Sequence, residues 1–263
     1  MTAVGRAKVN RFVSVMKDSA RAVLSATNIL LEHFGIQLVR TSNAFGFRPS
    51  LRALKARGFH PATVFDVGVA YGTRELYAEF KHAKYFLIDP VPQSLPYMRD
   101  WATTLDAKVY NIALGDSDGD LDMSVPDDIR GSTLYEQIEP PDQQSRVSVP
   151  VKRFDSAFQV SDLIPPCLVK IDVQGAELSL LKGMGKLIRD VDIFIIEVSL
   201  IVTLDGTAAH MFDVLDYLRQ NEFTLYDICG LIRRPLDNAL AQLDLVFCKK
   251  TSDLLQDRRW TSR

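Results

Sequence analysis

The chain has 263 residues, 47% hydrophobic and 24% charged, with a net charge of −2. This suits one globular domain of ~200 residues with an appendage. It lacks the excess of Lys and Arg that marks a nucleic-acid surface, so no nucleic-acid partner is expected. Cys167, Cys229 and Cys248 are widely separated and odd in number. They make no metal-ligand pattern and no disulfide framework, which suits a reducing compartment.

The first thirty residues hold no uninterrupted apolar run of the kind a signal peptide or membrane span needs, so a cytoplasmic protein is expected. Residues 8–34 read as an amphipathic helix, with Phe12, Met16, Ala20, Val23 and Leu30 at helical spacing and Arg6, Lys8, Arg11, Lys17 and Arg21 making it basic. Such a helix can cap the domain, pair with another copy in a homo-oligomer, cover a substrate, or make a peripheral contact with an anionic membrane. The domain reading is a helical extension over 1–48, a catalytic domain over 49–250 and a tail over 251–263.

Pro49 and Ser50 open a short helix that Gly58 ends. Strands and helices then alternate. Strands are predicted at 63–67, 85–88, 108–114, 167–171 and 192–198, and helices at 73–80, 93–105, 176–188 and 211–221. Between them, 121–125 and 145–153 read as two strands flanking a Pro- and Asp-rich loop over 126–144. The last two strands, 223–228 and 244–249, have no helix between them. Alternation of this kind implies a doubly wound, mostly parallel sheet, and the ending implies an antiparallel hairpin.

Asp66–Gly72 reads as a nucleotide-binding turn between a strand and a helix. Gly68 and Gly72 admit backbone conformations barred to other residues and allow a ligand to approach closely. Asp66, at the strand end, can bind an ammonium or hydroxyl group. The third position is Ala70, so the full G-x-G-x-x-G pattern of dinucleotide-binding dehydrogenases is absent. Asp89, after the strand YFLI, is placed to accept hydrogen bonds from two ribose hydroxyls. Asn111 and Ala113 lie where the next strand ends beside the same crevice.

The stretch LVKIDVQGAELSLLKGM puts Lys170 and Asp172 on one face of a strand. A lysine in a covered sheet needs a partner, and Glu177 and Glu197 are the candidates. Asp172 and Glu197, at strand ends, are either part of a buried ion-pair cluster or groups on the substrate side of the cleft. His210, after the segment LDGTAA, is a third candidate base.

The order DVGVAYG, FLIDPVPQS, NIALGD, FDSAF, KIDVQGAELSLLKG and IIEVS resembles the FkbM family of S-adenosylmethionine-dependent methyltransferases over roughly residues 60–250. Asp89-Pro90 stands where that family commonly has Glu-Pro, and Gln174 stands where it commonly has Glu. The resemblance implies a Rossmann-like α/β fold: a seven-stranded, mostly parallel sheet with an antiparallel C-terminal hairpin strand. It also implies S-adenosylmethionine as cofactor and O-methylation of a hydroxyl on a sugar, glycan or secondary metabolite. The cofactor-binding candidates are Asp66, Gly68, Ala70, Gly72, Asp89, Asn111 and Ala113, and the catalytic candidates Asp172, Glu197 and His210. A divalent cation held by Asp172 and Glu197 is left open. A nicotinamide-dependent oxidoreductase and a non-catalytic protein that retains the fold are the alternatives.

Overall fold

A computed structural model describes residues 45–138, 143–201, 208–257, Thr27, Leu204 and Arg259. The basic helix expected over 8–34 lies outside the described residues apart from Thr27, as do parts of the loops at 126–144 and 200–210.

Helix α1 (Phe47–Ala56) precedes the sheet and buries Leu51 and Leu54. It starts two residues ahead of the predicted Pro49, which a first helical turn accommodates because its N–H groups have no intrahelical partner. A sheet of seven strands follows: β1 (Thr63–Val67), β2 (Lys84–Ile88), β3 (Asp106–Tyr110), β7 (Cys167–Ile171), β8 (Ile193–Ser199), β9 (Phe223–Arg233) and β10 (Leu240–Lys249). Their spatial order is β3-β2-β1-β7-β8-β10-β9. The first five strands run parallel, while β10 is antiparallel to both β8 and β9. The expected hairpin is therefore present, with its second strand inserted between β8 and β9.

Every residue of β1 and of β7 is buried, because helices cover both sheet faces and leave only apolar runs room to pack. On one face Phe65 stacks on Phe86 with ring centroids 4.4 Å apart, and Phe154 and Phe158 pack against Phe65 at 5.1 Å each. Around these rings lie Leu180, Leu181 and Val214 from helices α5 (Glu177–Gly183) and α6 (Met211–Gln220), with Met184 just past the end of α5. On the other face Leu51, Leu54, Leu76 and Met98 pack from α1, α2 (Arg74–Glu79) and α3 (Leu95–Trp101).

Three readings are corrected. The single strand expected over 108–114 is two: β3 ends at Tyr110, and the chain crosses to a second sheet as β4 (Ala113–Gly115). That sheet, of order β4-β6-β5, contains the antiparallel pair β5 (Gly119–Pro126) and β6 (Gln144–Arg153). The helix expected over 176–188 is α-helical only to Gly183 and continues as a 3-10 turn over Gly185–Asp190. The loop expected between the last strands is mostly strand, since β9 runs to Arg233 and β10 starts at Leu240. Long antiparallel partners satisfy each other's backbone groups well beyond the apolar cores from which the strands were read.

Leu254, in the segment read as a tail, is buried, and its carbonyl accepts a hydrogen bond from Arg57 at 2.7 Å. No helix among the described residues is long and apolar enough to cross a membrane.

Candidate active site

The strand order reverses between β1 and β7, where the chain has wound outward to β3 and returns. Loops diverge at such a point, and in open α/β sheets ligands bind there, outside the carboxyl ends of the strands. A cavity of 370 Å3 lies at this place, lined by the ends of β1, β2, β7 and β8, by the small sheet and by the hairpin. Its volume falls in the usual range for small-molecule sites.

Of the ten candidates, six line this cavity: Gly68, Ala70, Asp89, Ala113, Asp172 and Glu197. Asp66, Gly72, Asn111 and His210 do not.

Asp66 is wholly buried beneath the turn. It accepts a 2.6 Å hydrogen bond from the Tyr77 hydroxyl and lies 3.6 Å from Lys170 Nζ. It holds the turn from below and does not line the cavity. Burial, then the neighbouring Asp66 carboxylate, pushes the Tyr77 phenol far up, so it stays protonated and donates. Lys170 pairs with Asp66 and, at 3.3 Å, with Asp172, not with the Glu177 and Glu197 that its sequence position suggested. Burial works against its charge, but Asp172 and Asp66 outweigh it and hold its pKa above that of an ordinary lysine.

The glycines of the turn serve the protein as much as a ligand. Gly68 has φ +82°, and a Cβ there would meet the backbone oxygen of Asp172 at 1.7 Å. Gly72 has φ +108°, and a Cβ would meet Trp101 Nε1 at 2.0 Å. That indole nitrogen donates to the Tyr71 carbonyl at 3.0 Å. The glycine at 68 thus lets β1 and β7 close at the switch point, and the one at 72 seats a tryptophan. Ala70 also takes a positive φ, of 45°, and its N–H donates to Asp89 Oδ2 at 2.8 Å.

Asp89 is fastened on three sides. Besides Ala70, the Val91 N–H donates to Oδ1 at 2.9 Å and the Ser94 hydroxyl at 2.8 Å. Burial raises its pKa, and these donors oppose the rise. A carboxylate accepts about four hydrogen bonds, so capacity remains for a ligand hydroxyl. Asn111 does not reach the cavity. Its amide donates to the Asp89 carbonyl at 2.7 Å, steadying the acidic residue from behind. Val91, Ile112, Leu114, Met123, Ile129 and Leu134 form an apolar wall, suited to a heteroaromatic ring.

Polar groups gather at the β7–β8 side. Asp172 Oδ1 accepts from Gln174 Nε2 at 2.9 Å, and the same nitrogen donates to Glu197 Oε1 at 2.9 Å. Gln242 Nε2 donates to that oxygen at 2.8 Å. Burial, then the charges of Asp172 and Asp244, pushes Glu197 up to about 8. Glu177 accepts from the Gly175 N–H at 3.0 Å and is pushed up to about 7, by burial above all. His210 is exposed and caps α6, its own N–H donating to Asp213 at 3.0 Å. Its sequence position marked a helix start, and capping is the role it takes.

Sequence reading missed Gln242 and Ile232, both on the cavity wall, because they lie in what read as a loop. The apolar–polar alternation of β10 extends back to Ala241, a signal that could have found Gln242. Among the described residues, no three His, Cys, Asp or Glu side chains group as a metal-holding set. The cation left open at Asp172 and Glu197 therefore finds no donor set there.

Residues 66–225 match the family model of the methyltransferase FkbM domain. The chain belongs to the FkbM methyltransferase family. As an FkbM protein it is an S-adenosylmethionine-dependent methyltransferase, which sets aside the oxidoreductase and the non-catalytic alternatives. No curated protein sequence matches the chain. Solved structures similar to this FkbM protein include the 1,6-didemethyltoxoflavin-N1-methyltransferase of Burkholderia thailandensis, at 14% identity and TM-score 0.41, with 91% of this chain and 89% of that chain covered. The precorrin-6y C5,15-methyltransferase of Geobacter metallireducens gives 11% identity and TM-score 0.37, covering 77% and 88%. A TehB-like methyltransferase of Corynebacterium glutamicum gives 13% and 0.36, covering 88% and 100%.

The residues of the cavity fit the cofactor. Asp89 presents a carboxylate to the cavity that could accept from ribose hydroxyls. The apolar wall could hold a heteroaromatic ring such as adenine, and the acidic Asp172 and Glu197 could face a cationic group.

Proposed function

We propose that this FkbM methyltransferase transfers the methyl group to oxygen, on a hydroxyl of a sugar, glycan or secondary metabolite. The observation that carries this reading is Glu197. It stands at the cavity wall, held by two neutral amides and raised towards neutrality, which is what a general base for a hydroxyl requires.

Bound S-adenosylmethionine supplies an electrophilic methyl on sulfur. The chain's own part is to hold the acceptor in line and to take its proton, and positioning alone can supply much of a barrier. In this assignment Asp89 anchors the ribose. Glu197 Oε2, which has no hydrogen bond among the described residues, would receive the hydroxyl proton as the O–CH3 bond forms and the methyl–sulfur bond breaks, the sulfur leaving as a neutral thioether. Asp172, paired with Lys170 at 3.3 Å, offers the cationic cofactor a counter-charge. Glu197 returns its proton to water after turnover.

A second, smaller cavity of 80 Å3 adjoins the first and is lined by Thr133, Gln137, Gln174, Ser199 and Gln242 among others. These are neutral donors and acceptors, which favours an uncharged, hydroxyl-rich acceptor over a nucleic acid or a carboxylate.

Transfer of labelled methyl from S-adenosylmethionine to a panel of sugars, glycans and hydroxylated metabolites tests the proposal. The expected result is an oxygen-methylated product whose rate rises from pH 7 to 9 in the wild-type protein and loses that rise in Glu197→Gln. Label found on nitrogen or carbon of the acceptor would overturn it.

A further inference from the structure

Among the described residues, Glu197 pairs with no cation. The ionisable groups facing it are Asp172 after β7, Asp244 on β10 and Glu177 on α5, all acidic. Lys170, the buried cation of this cluster among the described residues, makes its ion pairs with Asp66 and Asp172. What holds the side chain in place is two amides. Gln174 and Gln242 both donate to the same oxygen, Oε1, at 2.9 and 2.8 Å. The other proton of Gln174 Nε2 goes to Asp172 Oδ1 at 2.9 Å. An amide nitrogen has two protons, so this one is fully used, and it bridges the two carboxylates.

The backbone is arranged for this at both residues. Gln174 takes φ +50°, left of the usual region for a residue with a Cβ. Its carbonyl is held by the Thr133 hydroxyl at 2.7 Å. Gln242 follows a bulge: Leu240 pairs with Arg233 and Gln242 with Ile232, leaving Ala241 as the extra residue of β10. Bulges re-aim side chains at sites, and the Ala241 carbonyl accepts from both Leu200 and Ile201.

We infer that Gln174 and Gln242 are positioning residues that act as a neutral amide clamp on Glu197, occupying Oε1 and leaving Oε2 as its single proton-accepting oxygen. Amide donors stabilise the ionised form of Glu197 only partly, so the carboxylate remains basic. A cation in either position would hold it ionised and weak as a base, and a carboxylate at 174 would add a fourth acidic group facing Glu197. This inference rests on the assignment of Glu197 as base, and it makes a claim that can be read without turnover.

The experiment is a carbon-13 NMR titration of the Glu197 carboxyl in full-length protein labelled at glutamate, with Glu197→Gln identifying its signal. The variants are Gln174→Gly, which keeps the left-handed backbone accessible, Gln174→Asn, Gln174→Glu and Gln242→Leu. Thermal melting is recorded for each. The clamp predicts that the Glu197 midpoint rises in Gln174→Gly and in Gln242→Leu, by about one pH unit for a lost amide donor. The rise should be larger in Gln174→Glu. Gln174→Asn, too short to reach both carboxylates, should behave as Gln174→Gly. A Glu197 midpoint that stays within about 0.2 pH units of wild type in folded Gln174 and Gln242 variants overturns the clamp. Calorimetry of S-adenosylmethionine binding to the same samples separates the two failures. Absent binding to the wild-type protein counts against the methyltransferase site, and an unmoved midpoint counts against the clamp.

Discussion

Glu177 shows how a single buried group makes stability depend on pH. It is 5% exposed, at the start of α5, and its pKa rises from 4.5 to about 7 on folding. A carboxyl whose folded pKa is raised contributes stability that is fully present below about pH 4.5 and is lost as pH rises through about 7, because the folded state then gives up a proton it holds more tightly than the unfolded chain does. Glu177→Gln, which keeps an oxygen for the Gly175 N–H, is expected to melt higher than wild type at pH 8. The two should converge near pH 4.5. Thermal melts across that range check it, and a difference independent of pH would contradict the assignment.

Gly68 gives a second residue-scale test. Gly68→Ala forces a Cβ into the Asp172 backbone and strains a positive φ. The expected cost is about 4 kcal/mol or more, read from the urea midpoint. A wild-type midpoint would mean that β1 and β7 do not close as described.

Among the elements, burial decides rigidity. β1 and β7 sit in the sheet centre with every residue buried, whereas the first four residues of β5 are exposed at the edge of the small sheet. Native-state hydrogen exchange should be slower in β1 and β7 than in β5 by roughly a hundred-fold or more. Phe154 on the short helix α4 (Phe154–Ala157) ties the small sheet to the main one through Phe65 and Phe158. Phe154→Ala is expected to cost about 3–5 kcal/mol. Equal protection of β5 and β1, or a loss near zero for Phe154→Ala, would contradict this packing.

The elements also show what a sequence displays. β1, β2, β7 and β8 were legible because continuous apolar runs bounded by polar or turn residues have one good reading in a covered sheet. The break between β3 and β4 was not, since VYNIAL is apolar enough to pass as one strand. Only the pull of a second sheet, paired through β6, separates the two halves. The length of the β9–β10 hairpin was hidden for a related reason. Its outer half holds Leu231, Ile232 and Arg233, all exposed, so burial leaves no alternation to read there.

For the whole molecule, binding energy adds to stability. S-adenosylmethionine at a hundred times its Kd is expected to stabilise the fold by about 2.7 kcal/mol, a rise in Tm of roughly 5–10 °C for a domain of this size. NAD at the same concentration should leave Tm unchanged. Asp89→Ala, which removes the proposed ribose acceptor, should abolish most of the S-adenosylmethionine shift. A shift with NAD alone would overturn the cofactor assignment.

The sequence by itself determined the fold class, the place of the crevice and the family, because these follow from local patterns: apolar runs, a turn rich in small residues, and KIDVQGAE. Six of its ten site candidates line the cavity, including Asp89, Asp172 and Glu197. The tertiary structure alone decided which acids open onto the cavity. Asp66 and Asp89 both end strands beside the same turn, yet one is buried under Tyr77 and Lys170 and the other opens onto the cavity. It alone brought Gln242 to Glu197, across 45 residues of chain. Side-chain partners of that kind depend on strand register and on the bulge at Ala241, and neither is written in the spacing of one segment.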